Sequence, residues 1–151
     1  ERTAAVADDS GRAVRLVGWS LGGYLVREVA REQPQLVDRV ITLGAPVIGG
    51  PKYTASAALY RKRGYDLDQI EAEVDQRERD PIRVPVHALY SRSDGVVAWR
   101  ACIDGSNRNV CHHEVHASHL GLIASPSVFE RVAQLLVNGD AGPCSAGSIH
   151  Q

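Results

Sequence analysis

The chain has 151 residues, of which 44% are hydrophobic and 23% charged, which is enough for one domain with a buried core. Its formal net charge of -1 excludes the basic field that nucleic acid or an anionic lipid surface would require, so we expect no nucleic-acid partner. No apolar run approaches the ~20 residues of a membrane-spanning helix. We therefore expect a soluble protein without a transmembrane segment, with the cytoplasm favoured although nothing fixes the compartment.

The three cysteines suggest neither a zinc site nor a dense disulfide framework, because their number is odd and their spacing irregular. Cys102 and Cys111 either close a short loop, with a stabilisation of roughly 2–3 kcal/mol, or remain as small buried thiols. Both alternatives stay open from the sequence. We expect no metal and no cofactor.

The first half of the chain predicts a parallel β-α-β unit. After a polar lead-in over residues 1–12, the apolar run Val14–Val17 predicts a buried strand, and a helical stripe follows it from Leu21 to Gln33. Pro34 ends this helix, and Val40–Leu43 predicts a second buried strand. Two such strands separated by one helix are typical of a parallel sheet.

The second half predicts a helical cap and then a return to the sheet. Residues 48–82 form the expected cap, with charged, amphipathic stretches near 53–62 and 67–79. Strands are predicted over 84–90 and, with a weaker pattern, over 110–115. A last helix begins with Ser125 as N-cap and stops at Gly139, and 139–151 are expected to be disordered. The predicted fold is therefore α/β, a mostly parallel sheet with flanking helices in a single domain over 1–151.

The segment Gly18-Trp19-Ser20-Leu21-Gly22 has the pattern G-x-S-x-G between a predicted strand and a predicted helix. This context is typical of a nucleophile elbow, the sharp turn that exposes a serine hydroxyl above the edge of a sheet. We expect both Gly18 and Gly22 to be required sterically, because the turn brings the strand and helix backbones close together. A serine at neutral pH needs a base, and the base needs an orienting carboxylate.

Candidates for the acid and the base follow the next two predicted strands. Asp94 lies after strand 84–90 and His119 after strand 110–115, and active sites of open α/β sheets lie at such strand ends. Asp104 is an alternative acid. The alternative bases are His112, His113 and His116, of which the first two point to opposite faces of a strand and so suit one metal ion poorly.

Together these motifs resemble the C-terminal half of an α/β-hydrolase of the lipase/esterase kind. The resemblance rests on the elbow at 18–23, the Ser-Asp-Gly-Val-Val run at 93–97 and the Ser-His-Leu-Gly-Leu run at 118–122. It implies that Ser20 is the nucleophile, His119 the general base and acid, and Asp94 the acid that orients it. It also implies the backbone N–H of Leu21 as one oxyanion donor. The cap would shape an acyl pocket, with Trp19, Leu59 and Ile70 as candidate substrate-binding residues.

The expected function is cleavage of a small-molecule or lipid carboxylic ester through an acyl-enzyme. An acyltransferase is a close alternative, and a catalytically impaired, self-associating structural module is a second one. The second arises because family strands one to four and the second oxyanion donor have no counterpart before Val14. Since the sequence starts at Glu1 and contains no methionine, we expect either a fragment of a longer gene product or a chain that completes its sheet with another chain. The elbow strand would then be an open edge, so we expect a homo-oligomer or completion of the sheet by another chain.

Overall fold

The computed structural model describes residues 2–137, and its centre is a parallel sheet. Within those residues the sheet has four strands in the order β1-β2-β3-β4, all parallel. The strands are β1 (Val14–Trp19), β2 (Val37–Leu43), β3 (Val86–Tyr90) and β4 (Val110–Glu114). This confirms the predicted α/β class, and it brings all four carboxyl ends to one edge of the sheet. The predicted helix stop at Gly139 and the tail at 139–151 lie outside the described residues.

Five α-helices accompany the sheet over residues 2–137. They are α1 (Arg2–Ser10), α2 (Leu21–Glu32), α3 (Ala57–Lys62), α4 (Leu67–Arg77) and α5 (Pro126–Val137). The expectation of an irregular lead-in over residues 1–12 is wrong, because α1 occupies most of it. The segment contains three alanines, the strongest helix former, and this propensity outweighs its weak apolar periodicity.

The two faces of the sheet bury separate apolar clusters. On one face Val40 and Val86 are fully buried against Ala30 of α2. On the other face Ile41 and Leu89 pack with α5 through its buried residues Val128, Val132 and Leu135. Consecutive residues of the central strands point to opposite faces, so both strands are largely apolar where they are buried, over 40–43 of β2 and 86–90 of β3. The sheet is therefore covered on both sides and fixes the directions in which its strand ends point.

Cys102 carries a free, buried thiol, so Cys102 and Cys111 are not joined. Burial, with the negative charge of Asp94 nearby, raises the pKa of the Cys102 thiol to about 12. The thiolate is the nucleophilic form of cysteine. At neutral pH Cys102 is therefore a packing residue of the cluster that also holds Tyr90 and Val97.

Candidate active site

The turn between β1 and α2 holds Ser20 in a strained backbone conformation. Its φ is 54° and its ψ -127°, and among residues 2–137 no other non-glycine residue has a positive φ. Such a conformation costs on the order of 1–3 kcal/mol and persists only where the surroundings impose it. Here the Ser20 N–H donates to the Leu43 carbonyl at 2.8 Å, and the Ser20 carbonyl accepts from the Gly23 N–H at 2.9 Å.

The glycines of the turn differ from the prediction in one respect. A Cβ on Gly18 would lie 2.4 Å from the Gly22 carbonyl oxygen, so the close approach predicted there is confirmed. A Cβ on Gly22 would meet nothing within 4 Å, so the expectation for that position is wrong. The second tight contact is instead at Gly23, where a Cβ would lie 2.5 Å from the Cβ of Ala45. The helix packs against the end of β2 one residue later than the motif suggested.

Asp94 and His119 form a buried pair beyond the ends of β3 and β4. His119 Nδ1 lies 2.8 Å from Asp94 Oδ2, and the His119 N–H donates to the Asp94 carbonyl at 2.8 Å. The other carboxylate oxygen accepts from the N–H groups of Val96 at 2.9 Å and Val97 at 2.6 Å. An ionised carboxylate only accepts hydrogen bonds, so Nδ1 carries the proton and Nε2 is left as the basic nitrogen.

Two residues that sequence reasoning missed hold this pair in place. Ser91, which is 1% exposed, accepts from the N–H groups of Ser93 and Ala117 at 3.1 and 3.2 Å, so one hydroxyl joins the loops that carry the acid and the histidine. Gly44 has a φ of 55°, and a Cβ there would lie 2.9 Å from Asp94 Oδ2. The only hint in the sequence was that Gly44 follows β2 directly, at the same edge as the other candidates.

Ser20 is connected to this pair through Trp19, which precedes it in the chain, and through Leu43, which accepts from its N–H. The Trp19 indole donates to the His119 carbonyl at 3.0 Å, and the two rings are 4.9 Å apart. Leu43, which binds the Ser20 N–H, is followed by Gly44, which abuts Asp94 and His119. Within residues 2–137 the Ser20 hydroxyl itself makes no hydrogen bond. Nucleophile–base hydrogen bonds are often long before substrate binds, so this leaves the arrangement compatible with catalysis.

A cavity of about 330 Å³ opens at Ser20 and Leu21 and extends between α2 and the segment that includes α3 and α4. Its walls are mainly apolar and include Pro46, Ile70, Val74, Val96 and Val97. Ile70, a predicted substrate-binding residue, thus lines the cavity. The other two do not, since Leu59 is 48% exposed on α3 and the Trp19 indole is occupied by His119.

The loop that carries Asp94 is joined to the segment that covers the cavity. The Ala55 N–H donates to the Val96 carbonyl at 2.7 Å, and the Ala98 N–H donates to the Tyr53 carbonyl at 3.0 Å. Two backbone hydrogen bonds therefore connect one wall of the cavity to the loop that carries Asp94.

The alternative acid and bases of the sequence lie in other environments. Asp104 is buried in an ion pair with Arg27, and its N–H donates to His112 Nε2 at 2.9 Å. His113 Nε2 lies 3.2 Å from His87 Nδ1 on the neighbouring strand. His116, on the strand-end segment before His119, has no contact with Asp94. Of the predicted acids and bases among the described residues, Asp94 and His119 are the two whose carboxylate and imidazole groups are hydrogen-bonded to each other, whereas Asp104 contacts His112 through its backbone N–H.

Leu21 begins α2, and the first N–H groups of a helix have no partner within the helix. The positive end of the helix dipole adds to these donors, so a negatively charged oxygen is stabilised at this place. The described residues contain no cluster of His, Cys, Asp and Glu that could hold a metal ion. None of the helices between residues 2 and 137 has the length and apolar character needed to cross a membrane.

Comparison with solved structures identifies the architecture as an α/β-hydrolase fold. The mouse alpha/beta hydrolase domain-containing protein 10 matches with a TM-score of 0.60 and 18% identity, over 89% of this chain and 65% of that one. A lipase-esterase related protein from Clostridium acetobutylicum matches with a TM-score of 0.58 and 16% identity, over 81% and 65% of the two chains. A monoacylglycerol lipase from Paleococcus ferrophilus matches with a TM-score of 0.57 and 14% identity, over 88% and 70%.

These matches show the fold and its extent. The chain spans 65% of the length of the first two structures, so it has a partial α/β-hydrolase fold. No protein-family model matches the sequence, and a comparison with curated proteins finds no match.

Proposed function

We propose that this chain carries the catalytic triad of a serine hydrolase that cleaves carboxylic esters, with Ser20 as nucleophile, His119 as base and Asp94 as acid. The observation that carries the proposal is the placement of the strained Ser20 in the wall of a mainly apolar cavity, connected through Trp19 to a buried Asp94–His119 pair. Lipase and lipase-esterase related proteins among the structures of similar fold favour an ester as substrate.

In the proposed reaction the Ser20 hydroxyl oxygen attacks the ester carbonyl while His119 Nε2 accepts its proton. The carbonyl oxygen becomes an oxyanion, which the Leu21 N–H and the positive end of α2 stabilise. Collapse of the tetrahedral intermediate expels the alcohol, which takes the proton back from His119, and leaves an acyl-Ser20 ester. Water, activated by the same nitrogen, then releases the carboxylic acid. Asp94 stabilises the imidazolium that forms in each half-reaction.

Covalent labelling with a fluorophosphonate, followed by intact-mass spectrometry, tests the proposal. The phosphorus is attacked by an activated serine and fluoride is expelled, so we expect one adduct on the wild-type chain and none on Ser20→Ala. Ser118→Ala is the matched control, because it removes a serine from the histidine loop and leaves Ser20 in place. Absence of an adduct on the folded wild-type chain, or an adduct that persists in Ser20→Ala, would overturn the proposal.

A second candidate function is that of a self-associating structural module, and the exposed side of β1 favours it. β1 lies at the edge of the described sheet, and Val17 in β1 and Leu25 on α2 are 43% and 55% exposed. An unpaired strand edge flanked by apolar side chains is a template for another strand, from a second copy or from another chain. The two candidates are compatible, since the cavity opens between α2 and the segment after β2.

A further inference from the structure

The mainly apolar wall of the proposed acyl cavity includes a charged group that pairs with α2 beyond Ser20. This group is Arg77 of α4, and its Nη1 lies 2.8 Å from Glu28 Oε2. Glu28 is eight residues beyond Ser20 on α2, which is about 12 Å along a helix axis. The cavity therefore extends from the nucleophile toward an ion pair.

Tyr24 lies between Ser20 and Glu28 in the chain, one helical turn beyond Ser20, and it lines the same cavity. The Tyr24 hydroxyl makes no hydrogen bond with any residue from 2 to 137. Burial, together with the negative charge of Glu28, raises the pKa of Tyr24, so the hydroxyl stays protonated at neutral pH and can donate. A half-buried donor without a protein partner, in an otherwise apolar wall, can bind an acceptor on a ligand.

The surrounding charges decide which acceptor fits. The charged groups around Tyr24 and Arg77 are the cations Arg31 and Arg77 and the carboxylates Glu28, Glu32, Glu73 and Glu78. Carboxylates outnumber guanidinium groups, and each guanidinium group forms an ion pair with at least one of them, while Arg31 Nη1 is a buried donor without a partner among the described residues. A carboxylate or phosphate on the ligand would meet net negative charge and be repelled. A neutral oxygen meets no such penalty.

We infer that the site is specific for esters whose acyl chain carries a neutral oxygen acceptor, a ketone or a hydroxyl, which the Tyr24 hydroxyl binds. This inference rests on the proposed function. Tyr24 lies four residues, about 6 Å along the helix axis, beyond Ser20, so the bound oxygen lies several bonds from the ester carbonyl, within the length of an octanoyl chain. An unsubstituted acyl chain of that length covers the Tyr24 hydroxyl without offering it an acceptor, so it binds less well than a chain with an oxygen at that place.

The test compares p-nitrophenyl octanoate with its 5-oxo and 7-oxo derivatives on the wild type and on Tyr24→Phe, which removes only the hydroxyl. We expect the wild type to prefer one of the oxo esters in kcat/KM, and Tyr24→Phe to lower that preference by about 3- to 10-fold. Tyr65→Phe is the control, because Tyr65 is exposed and lies outside the cavity wall. No preference in the wild type, or a preference that Tyr24→Phe leaves unchanged, overturns the inference. Loss of the preference for the oxo ester in Tyr60→Phe, with no loss in Tyr24→Phe, also overturns the inference.

A binding experiment separates this inference from the proposed function. The amides of octanoic and oxo-octanoic acid are titrated into Ser20→Ala and into the double variant with Tyr24→Phe, and binding is followed by NMR. Tighter binding of the oxo amide that disappears with Tyr24→Phe supports the inference even if no fluorophosphonate adduct forms. Equal binding of the two amides to Ser20→Ala contradicts it even if an adduct does form.

Discussion

The backbone of Gly44 lies directly against the carboxylate of Asp94. A Cβ on Gly44 would stand 2.9 Å from Asp94 Oδ2, the oxygen that faces His119 Nδ1, and 2.7 Å from Cδ1 of Leu122. The residue that follows β2 thus has no side chain at the place where Asp94 and His119 meet. Gly44, directly after β2, therefore contributes to the site because it has no side chain.

Gly44→Ala is therefore expected to damage reactivity as well as stability. Its φ of 55° costs a substituted residue about 1–2 kcal/mol, and the overlap with Asp94 and Leu122 adds about 1–3 kcal/mol. Displacement of the acid by an ångström would slow fluorophosphonate labelling of Ser20 by about 100-fold. Gly11→Ala is the control, since Gly11 has a φ of 62° with nothing within 4 Å of its Cβ position. Equal labelling rates for the two folded variants would count against the role of Gly44.

Asp94→Asn is expected to abolish most reactivity while the chain stays folded. The amide keeps the shape of the side chain but no longer stabilises the imidazolium or fixes its tautomer, so the labelling rate should fall by about 10⁴-fold. Asp104→Asn gives the opposite result. It removes one of the two carboxylates that pair with buried Arg27, the other being Glu78, and lowers the free energy of unfolding by about 1–3 kcal/mol, while the folded protein reacts at the wild-type rate.

Labelling rates and urea unfolding curves of the two asparagine variants distinguish these outcomes. If Asp104→Asn does not fold, Asn107→Ala replaces it, since Asn107 donates to Asp104 Oδ2 at 2.8 Å and its loss is milder. If Asp104→Asn were labelled slowly and Asp94→Asn at the wild-type rate, Asp104 would be the acid of the site and Asp94 the structural carboxylate.

The sequence was most informative where chemistry depends on strand ends. Ser20, Asp94 and His119 could be named because the carboxyl ends of parallel strands meet at one edge, so strand positions alone bring their loops together. The supporting residues could not be named in this way. Ser91 and Gly44 act through contacts between loops, and neither spacing nor residue type reveals which loops touch. The position of the second tight contact, at Gly23 and not at Gly22, likewise depends on how α2 packs on the end of β2, and the sequence motif does not specify this to the residue.

The pairing of His112 with Asp104 predicts a loss of stability on acidification. Burial, opposed in part by the charge of Asp104, holds the pKa of His112 below its ordinary value of 6.5. Its Nε2 accepts a hydrogen bond and so must be unprotonated. Below pH 6.5 the unfolded chain binds a proton at this residue that the folded chain does not, so stability falls as the pH drops from 6.5 toward the pKa of the folded state.

Urea midpoints at pH 8.0 and pH 5.5 measure this effect. His112→Gln retains an acceptor for the Asp104 N–H but cannot be protonated, so its midpoint should change less between the two pH values than that of the wild type. The remaining histidines are common to both proteins and cancel in the comparison. A pH dependence that is the same in both would show that His112 does not contribute.

The exposed edge of β1 predicts self-association through that strand. Among the described residues β1 pairs with β2 alone, so its other side presents free N–H and carbonyl groups beside the exposed side chain of Val17. We expect the wild type to be a dimer or larger in light scattering, and Val17→Lys to shift it toward the monomer, because a charged side chain on an edge strand opposes pairing. Leu59→Lys, which removes an equally exposed apolar residue from α3, should leave the assembly unchanged. A monomeric wild type, or equal dissociation by both substitutions, would show that the edge of β1 is not an interface between copies.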